Sequence, residues 1–94
     1  MAAVIATIKI MPENPEIDLD SLEIKVKQKI EEFTKDIGAE VKASTEPVAF
    51  GLVALNIIFV MDESIGSPDV LSESVSEFEE VASAEITDVR RAIG

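Results

Sequence analysis

Leu52-Val53-Ala54-Leu55-Asn56-Ile57-Ile58-Phe59-Val60-Met61 is the longest apolar run of the chain, broken only by one Asn. Ten residues are about half of what a helix needs to cross a bilayer. The run is rich in β-branched residues and reads as a strand. Val53, Leu55, Ile57, Phe59 and Met61 line one face, and Leu52, Ala54, Ile58 and Val60 surround Asn56 on the other. A strand apolar on both faces belongs in the middle of a sheet.

The flanking segments supply its neighbours. Residues 40–45 alternate polar side chains with Val41 and Ala43, the pattern of a half-exposed strand at an edge, and residues 47–51 interrupt it. Residues 3–11 place Val4, Ala6, Ile8 and Ile10 on one face of a first strand, which Pro12, Asn14 and Pro15 end. Between these two strands lies a helix. Asp20 is placed to cap it, Glu23 to complete an Asp-x-x-Glu box, and Leu19 with Ile24 to form a hydrophobic staple. Leu22, Val26, Ile30, Phe33 and Ile37 give it one apolar stripe, and Gly38 suits a left-handed end.

Downstream of the long run, residues 62–67 form a turn, and Ser67 with Pro68 opens a second helix as N-cap and first helical residue. Leu71, Val75, Phe78 and Ala82 are its expected buried stripe. Residues 84–93 close the chain as a strand with a weaker pattern, bulged near Asp88. The order is β-α-β-β-α-β. A four-stranded antiparallel sheet with two crossover helices on one face, the ferredoxin-like α+β sandwich, accommodates it. One domain over residues 1–94 is expected at this length.

Composition narrows the chemistry. The 94 residues contain no Cys, His, Trp or Tyr and carry a net charge of −11. Without Cys there is no disulfide or thiol chemistry, and without His the usual general base near neutral pH is missing. Nineteen acids against eight bases oppose binding to a phosphate backbone, so nucleic acid is not an expected partner. Residues 1–10 are apolar but short and carry Lys9, unlike a signal peptide. A cytoplasmic protein without a membrane segment is expected.

No enzymatic constellation stands out. The pairs Asp62-Glu63 and Glu79-Glu80 are adjacent in sequence, so their side chains diverge and neither makes a catalytic dyad. A hard-cation site at Asp62, Glu63 and Asp69 lacks the loop spacing of a calcium hand. Serines are plentiful, yet nothing is placed to activate one. An acylphosphatase-like enzyme would want an Arg in the loop after the first strand, where Met11-Pro12-Glu13-Asn14 stands instead. An RNA-recognition sheet would need exposed aromatics with basic neighbours. Neither a cofactor nor a metal site is therefore expected.

Phe50 is the exception among the four Phe, because it belongs to neither a helical stripe nor a strand. Between Pro47 and Gly51 it can tuck back onto the core or project as an anchor into a partner's pocket. The residues alone leave these two readings level.

Pro47-Val48-Ala49-Phe50-Gly51, then Leu55-Asn56-Ile57, Val60-Met61-Asp62-Glu63 and Phe78-Glu79-Glu80-Val81, followed by a short basic C-terminal stretch, resemble the exchange domain of the elongation factor 1-beta family. The likeness is close to the short archaeal form, and it spans essentially the whole chain. The resemblance implies a guanine-nucleotide exchange factor for elongation factor 1-alpha. It implies that Phe50, framed by Pro47 and Gly51, contacts the partner's second domain, while the C-terminal end of the domain approaches the nucleotide. Eukaryotic members carry a Lys there that intrudes on the magnesium site. Counting from Phe78-Glu79 puts Ala92 at that position, so Arg90 and Arg91 are the nearest cations. Two further Lys of those members are replaced by Val53 and Ala54.

The expected partner is thus elongation factor 1-alpha, bound by a chain that is itself a monomer. A rival from another class is a ferredoxin-like regulatory domain that binds a metabolite between paired protomers. Residues 43–89 contain ten acids and no Lys or Arg. That is the pattern of a solvated acidic face, or of a surface steered toward a basic partner.

Overall fold

The computed structural model describes residues 3–35 and 41–91, so the roles expected for Ile37, Gly38, Glu40, Ala92 and Ile93 lie outside the described residues. Four strands and two helices follow in the order β1 (Ala3–Pro12), α1 (Leu19–Thr34), β2 (Val41–Pro47), β3 (Val53–Asp62), α2 (Asp69–Ser76) and β4 (Val81–Arg91). The strands pair antiparallel in the spatial order β2-β3-β1-β4. This is the ferredoxin-like sandwich, and the long apolar run is one of its two central strands.

Register explains the core. Ala6 faces Phe59, Ile8 faces Ile57 and Ile10 faces Leu55 across β1 and β3. Directly opposed residues share a face, so these six line one side of the sheet. Leu22, Val26 and Ile30 of α1 and Leu71 and Val75 of α2 cover them, and all are fully or almost fully buried. Each aliphatic side chain buried in this way contributes about 1.5–3 kcal/mol. The Phe78 ring packs against the edge of that core under the ammonium groups of Lys25 and Lys29, 5.7 and 6.0 Å from its centroid. Lys25 also donates to Glu80, which holds the Glu80 carboxyl below its usual range. The Phe78-Glu79-Glu80 motif is thus a clasp between α1 and the turn after α2.

Several element ends differ from expectation. Asp18, not Asp20, caps α1: its Oδ1 accepts from the Asp20 and Ser21 amides at 3.1 and 3.4 Å. The helix starts two residues early, Ile24 is exposed, and the staple positions become Ile17 and Leu22, both set against the core. Its left-handed end is Lys35, at φ 58°. Pro68, expected as the first helical residue, is the N-cap of α2, and Ser67 just before it accepts from the Asp69 amide at 3.2 Å. That helix is shorter than its stripe suggested. It ends at Ser76, Phe78 lies in the following turn, and Ala82 is an exposed residue of β4. β1 extends to Pro12, and pairing with Pro12 draws Val81 into the sheet. The expected bulge is present: Thr7 pairs with Asp88 but Ile8 with Ile86, leaving Thr87 extra.

Candidate functional site

The candidate residues lie in two groups at opposite ends of the sheet. Pro47, Phe50 and Gly51 sit in the β2–β3 hairpin. Arg90 and Arg91 end β4, beside Ile5 and Val4 of β1, whose β3 partners Val60 and Met61 are at the far end of that strand. A ten-residue strand is about 33 Å long. The molecule measures 42 × 21 × 20 Å, so the two groups mark the ends of its long dimension.

The hairpin is tight. Pro47 closes the β2 ladder opposite Val53, the Val48 amide donates to the Leu52 carbonyl at 2.9 Å, and the Leu52 amide to the Ala49 carbonyl at 3.2 Å. Phe50 has φ 62° and ψ 32°, and Gly51 has φ 76°. Two consecutive left-handed residues between an i to i+3 hydrogen bond form a type I′ turn, whose twist suits a hairpin. The favoured sequence for such a turn is Asn-Gly or Gly-Gly. Gly51 fits, but Phe50 does not, because its Cβ is crowded by the backbone in this conformation. The Phe50 side chain recovers nothing by packing, since the residue is 95% exposed. It does not tuck back onto the core.

At the other end the two arginines face opposite ways. Arg90 is in register with Ile5 and points to the side of the sheet away from the helices, where its Nε donates to Asp88 at 2.8 Å. Arg91 is in register with Val4, on the helix side, and donates to Glu63 at 2.9 Å. Asp62 prepares that contact. Its carboxylate accepts from the Ser64 amide at 2.9 Å, turning the chain so that Glu63 meets Arg91, and the Ser64 hydrogen bonds hold the Asp62 carboxyl below its usual range. Asp62 and Glu63 are therefore a turn and a tether. Among the described residues no cluster of three acidic side chains is placed to hold a metal ion.

Sequence reasoning missed the surface between the two ends. On the open side of the sheet Lys9 and Glu46 form an ion pair at 3.7 Å across β3, and the Asn56 amide donates to Glu46 at 3.2 Å. Next to them Ile58 and Val60 remain 39% and 43% exposed. Asn56 amid an apolar run was the available signal, since a polar side chain in a central strand marks a face that water reaches.

Comparison with known proteins agrees with this architecture. Residues 5–92 match the EF-1 guanine nucleotide exchange domain family. Elongation factor 1-beta of Methanothermobacter thermautotrophicus is 45% identical over 92 residues, covering 97% of this chain and 98% of that protein. Elongation factor 1-beta of Methanobrevibacter smithii is 42% identical with the same coverage. Among solved structures, the de novo designed protein Foldit4 superposes with a TM-score of 0.62 at 16% identity, covering 98% of both chains, which is a likeness of fold alone. No helix among the described residues is long and apolar enough to cross a membrane. The family match sets aside the metabolite-binding rival. The role that it supports is guanine-nucleotide exchange in translation elongation, and the chain belongs to the EF-1 guanine nucleotide exchange domain family.

Proposed function

We propose that this chain, as a single exchange domain and a monomer, accelerates GDP release from elongation factor 1-alpha in the cytoplasm by binding across it at two points. Phe50 is the anchor at one point. The observation that carries this reading is a large apolar side chain held 95% exposed in a backbone conformation that disfavours it. Strain without local compensation points to a contact made elsewhere. Arg90 and Arg91 are the second point, next to the phosphates and Mg²⁺ of the partner's nucleotide.

No covalent chemistry is required of the chain. Exchange needs only that the factor bind the nucleotide-free partner more tightly than the GDP-bound one, since a ligand shifts an equilibrium by its differential affinity. By the same linkage, GDP weakens the factor's grip as much as the factor weakens GDP's. A guanidinium brought near the metal and phosphate site competes with Mg²⁺ for the same anionic oxygens. Neither nucleic acid nor membrane takes part directly.

The test is release of a fluorescent GDP analogue from elongation factor 1-alpha, with and without this chain at micromolar concentration. Acceleration is expected. An unchanged rate would overturn the reading.

A further inference from the structure

The open face of the sheet is apolar where it meets the arginine end. Ile5 stands between Arg90 and Val60, and Thr7 between Asp88 and Ile58, with Lys42 beyond Ile58 on β2. Ile58 and Val60 are exposed in adjacent rows, so with Ile5 they make one contiguous patch. Exposed Ile24 and Val70 are single residues on separate helices. Isolated apolar residues are ordinary on a surface, whereas a contiguous patch is a candidate for contact.

Charge separates the two sides of the molecule. The open face carries Lys9, Lys42 and Arg90 against Glu46, Glu85 and Asp88, with Asp62 at the end of β3 as a fourth acid. Most of the excess of −11 therefore lies in the turns and on α2. A body that touches both the Phe50 hairpin and Arg90, about 33 Å apart along β3, has to pass over the helices or over the open face, because the hairpin and β4 belong to opposite edges of the sheet. The helix side presents Asp69, Glu73 and Glu77, and the acids of α1 with Lys25, Lys27 and Lys29 among them, over a core that is already covered. The open face presents bare apolar area with its charges nearly balanced, and Arg90 itself projects from it.

We propose that this open face, centred on Ile5, Ile58 and Val60, is the surface that elongation factor 1-alpha covers between its two points of contact. The inference rests on the exchange reading above and adds an area to its two points. It also separates the arginines. Arg90 faces the partner, while Arg91, on the helix side, ties the end of β4 to the Glu63 turn.

Binding of nucleotide-free elongation factor 1-alpha to the full chain tests this, with variants whose fold is verified by circular dichroism. The pair Ile58→Ser with Val60→Ser should weaken binding roughly tenfold, the loss expected for two half-exposed aliphatic side chains no longer buried on association. The helix-side pair Ile24→Ser with Val70→Ser should change it less than about twofold, within the range of ordinary surface substitutions. Methyl resonances of unmodified chain serve as a second measurement: those of Ile5 and Ile58 should shift on binding and that of Ile24 should not. Equal losses from both pairs, or unmoved Ile5 and Ile58 methyls, would overturn the docking face. If the Ile58 and Val60 pair binds normally while Phe50→Ala does not, the face is wrong and the anchor stands. If all of these variants bind normally, the two-point reading fails as well.

Discussion

Phe50 is where stability and the proposed anchoring role can be separated at a single residue. A left-handed backbone costs a non-glycine residue about 1–2 kcal/mol, and Asn tolerates it better because its short polar side chain bonds locally. Phe50→Asn would create the Asn-Gly pair that type I′ turns favour. Since Phe50 buries almost nothing, the expected result is a gain of about 1 kcal/mol in unfolding free energy, measured by urea denaturation, by relief of that strain. Exchange by the same variant should fall at least tenfold, as for the loss of an interface anchor. A variant that is more stable and still active would show that the turn, and not the aromatic ring, is what matters. The arginines allow a second residue-scale comparison. Arg90→Ala should slow exchange more than Arg91→Ala, because only Arg90 projects from the open face. Arg91→Ala releases a solvent-exposed ion pair with Glu63, worth about 0–1 kcal/mol of stability. Initial rates of GDP release at saturating factor would rank the two, and the reverse order would move the contact to the helix side.

At the scale of elements, the first helix shows where sequence is ambiguous. Asp18 and Asp20 both precede the apolar stripe, and either start leaves Leu22, Val26 and Ile30 on one face. Packing decides, because starting at Leu19 brings that side chain against the core and sets Ile17 and Leu22 at the staple positions. Asp18→Ala should therefore cost about 1 kcal/mol, and Asp20→Ala only about 0.3 kcal/mol from the helix dipole. Urea midpoints of the two variants check this, and equal losses would contradict the Asp18 cap. The long apolar run and the strand order were legible because period-two patterns and right-handed crossovers leave few alternatives. The extent of α2 was not. Phe78 and Ala82 continue a helical period, yet the sheet takes this stretch because β1 offers partners to Val81 and Ser83, with Ala82 the extra residue between them. The open face was hidden for a related reason. An apolar strand reads as buried on both sides, and only the placement of both helices on one side uncovers Ile58 and Val60. Phe50 stood out in the sequence as an aromatic between Pro and Gly, but its backbone conformation depends on the tight pairing of β2 with β3.

For the whole molecule, the separation of charge from contact area has kinetic consequences. The field of eleven net negative charges extends about 10 Å at 0.1 M salt, far enough to draw a basic partner in before any surfaces touch. In the proposed docking, Ile5, Ile58, Val60 and the Phe50 ring hold the pair, while α2 and the acidic turns point to solvent. Steering and holding are then the work of different sides of the chain. Raising salt from about 50 to about 300 mM should lower the association rate constant by roughly tenfold, in the range of steered encounters. The dissociation rate constant should change less than about twofold, because charges outside the contact act mainly on encounter. Stopped-flow mixing with nucleotide-free elongation factor 1-alpha separates the two constants. Parallel salt dependence of both would mean that carboxylates are part of the contact itself, and the helix side would then have to be the surface that meets the partner. A flat association rate would mean instead that the acidic half of the sequence has no part in recognition, and that its charge serves only to keep the surface hydrated.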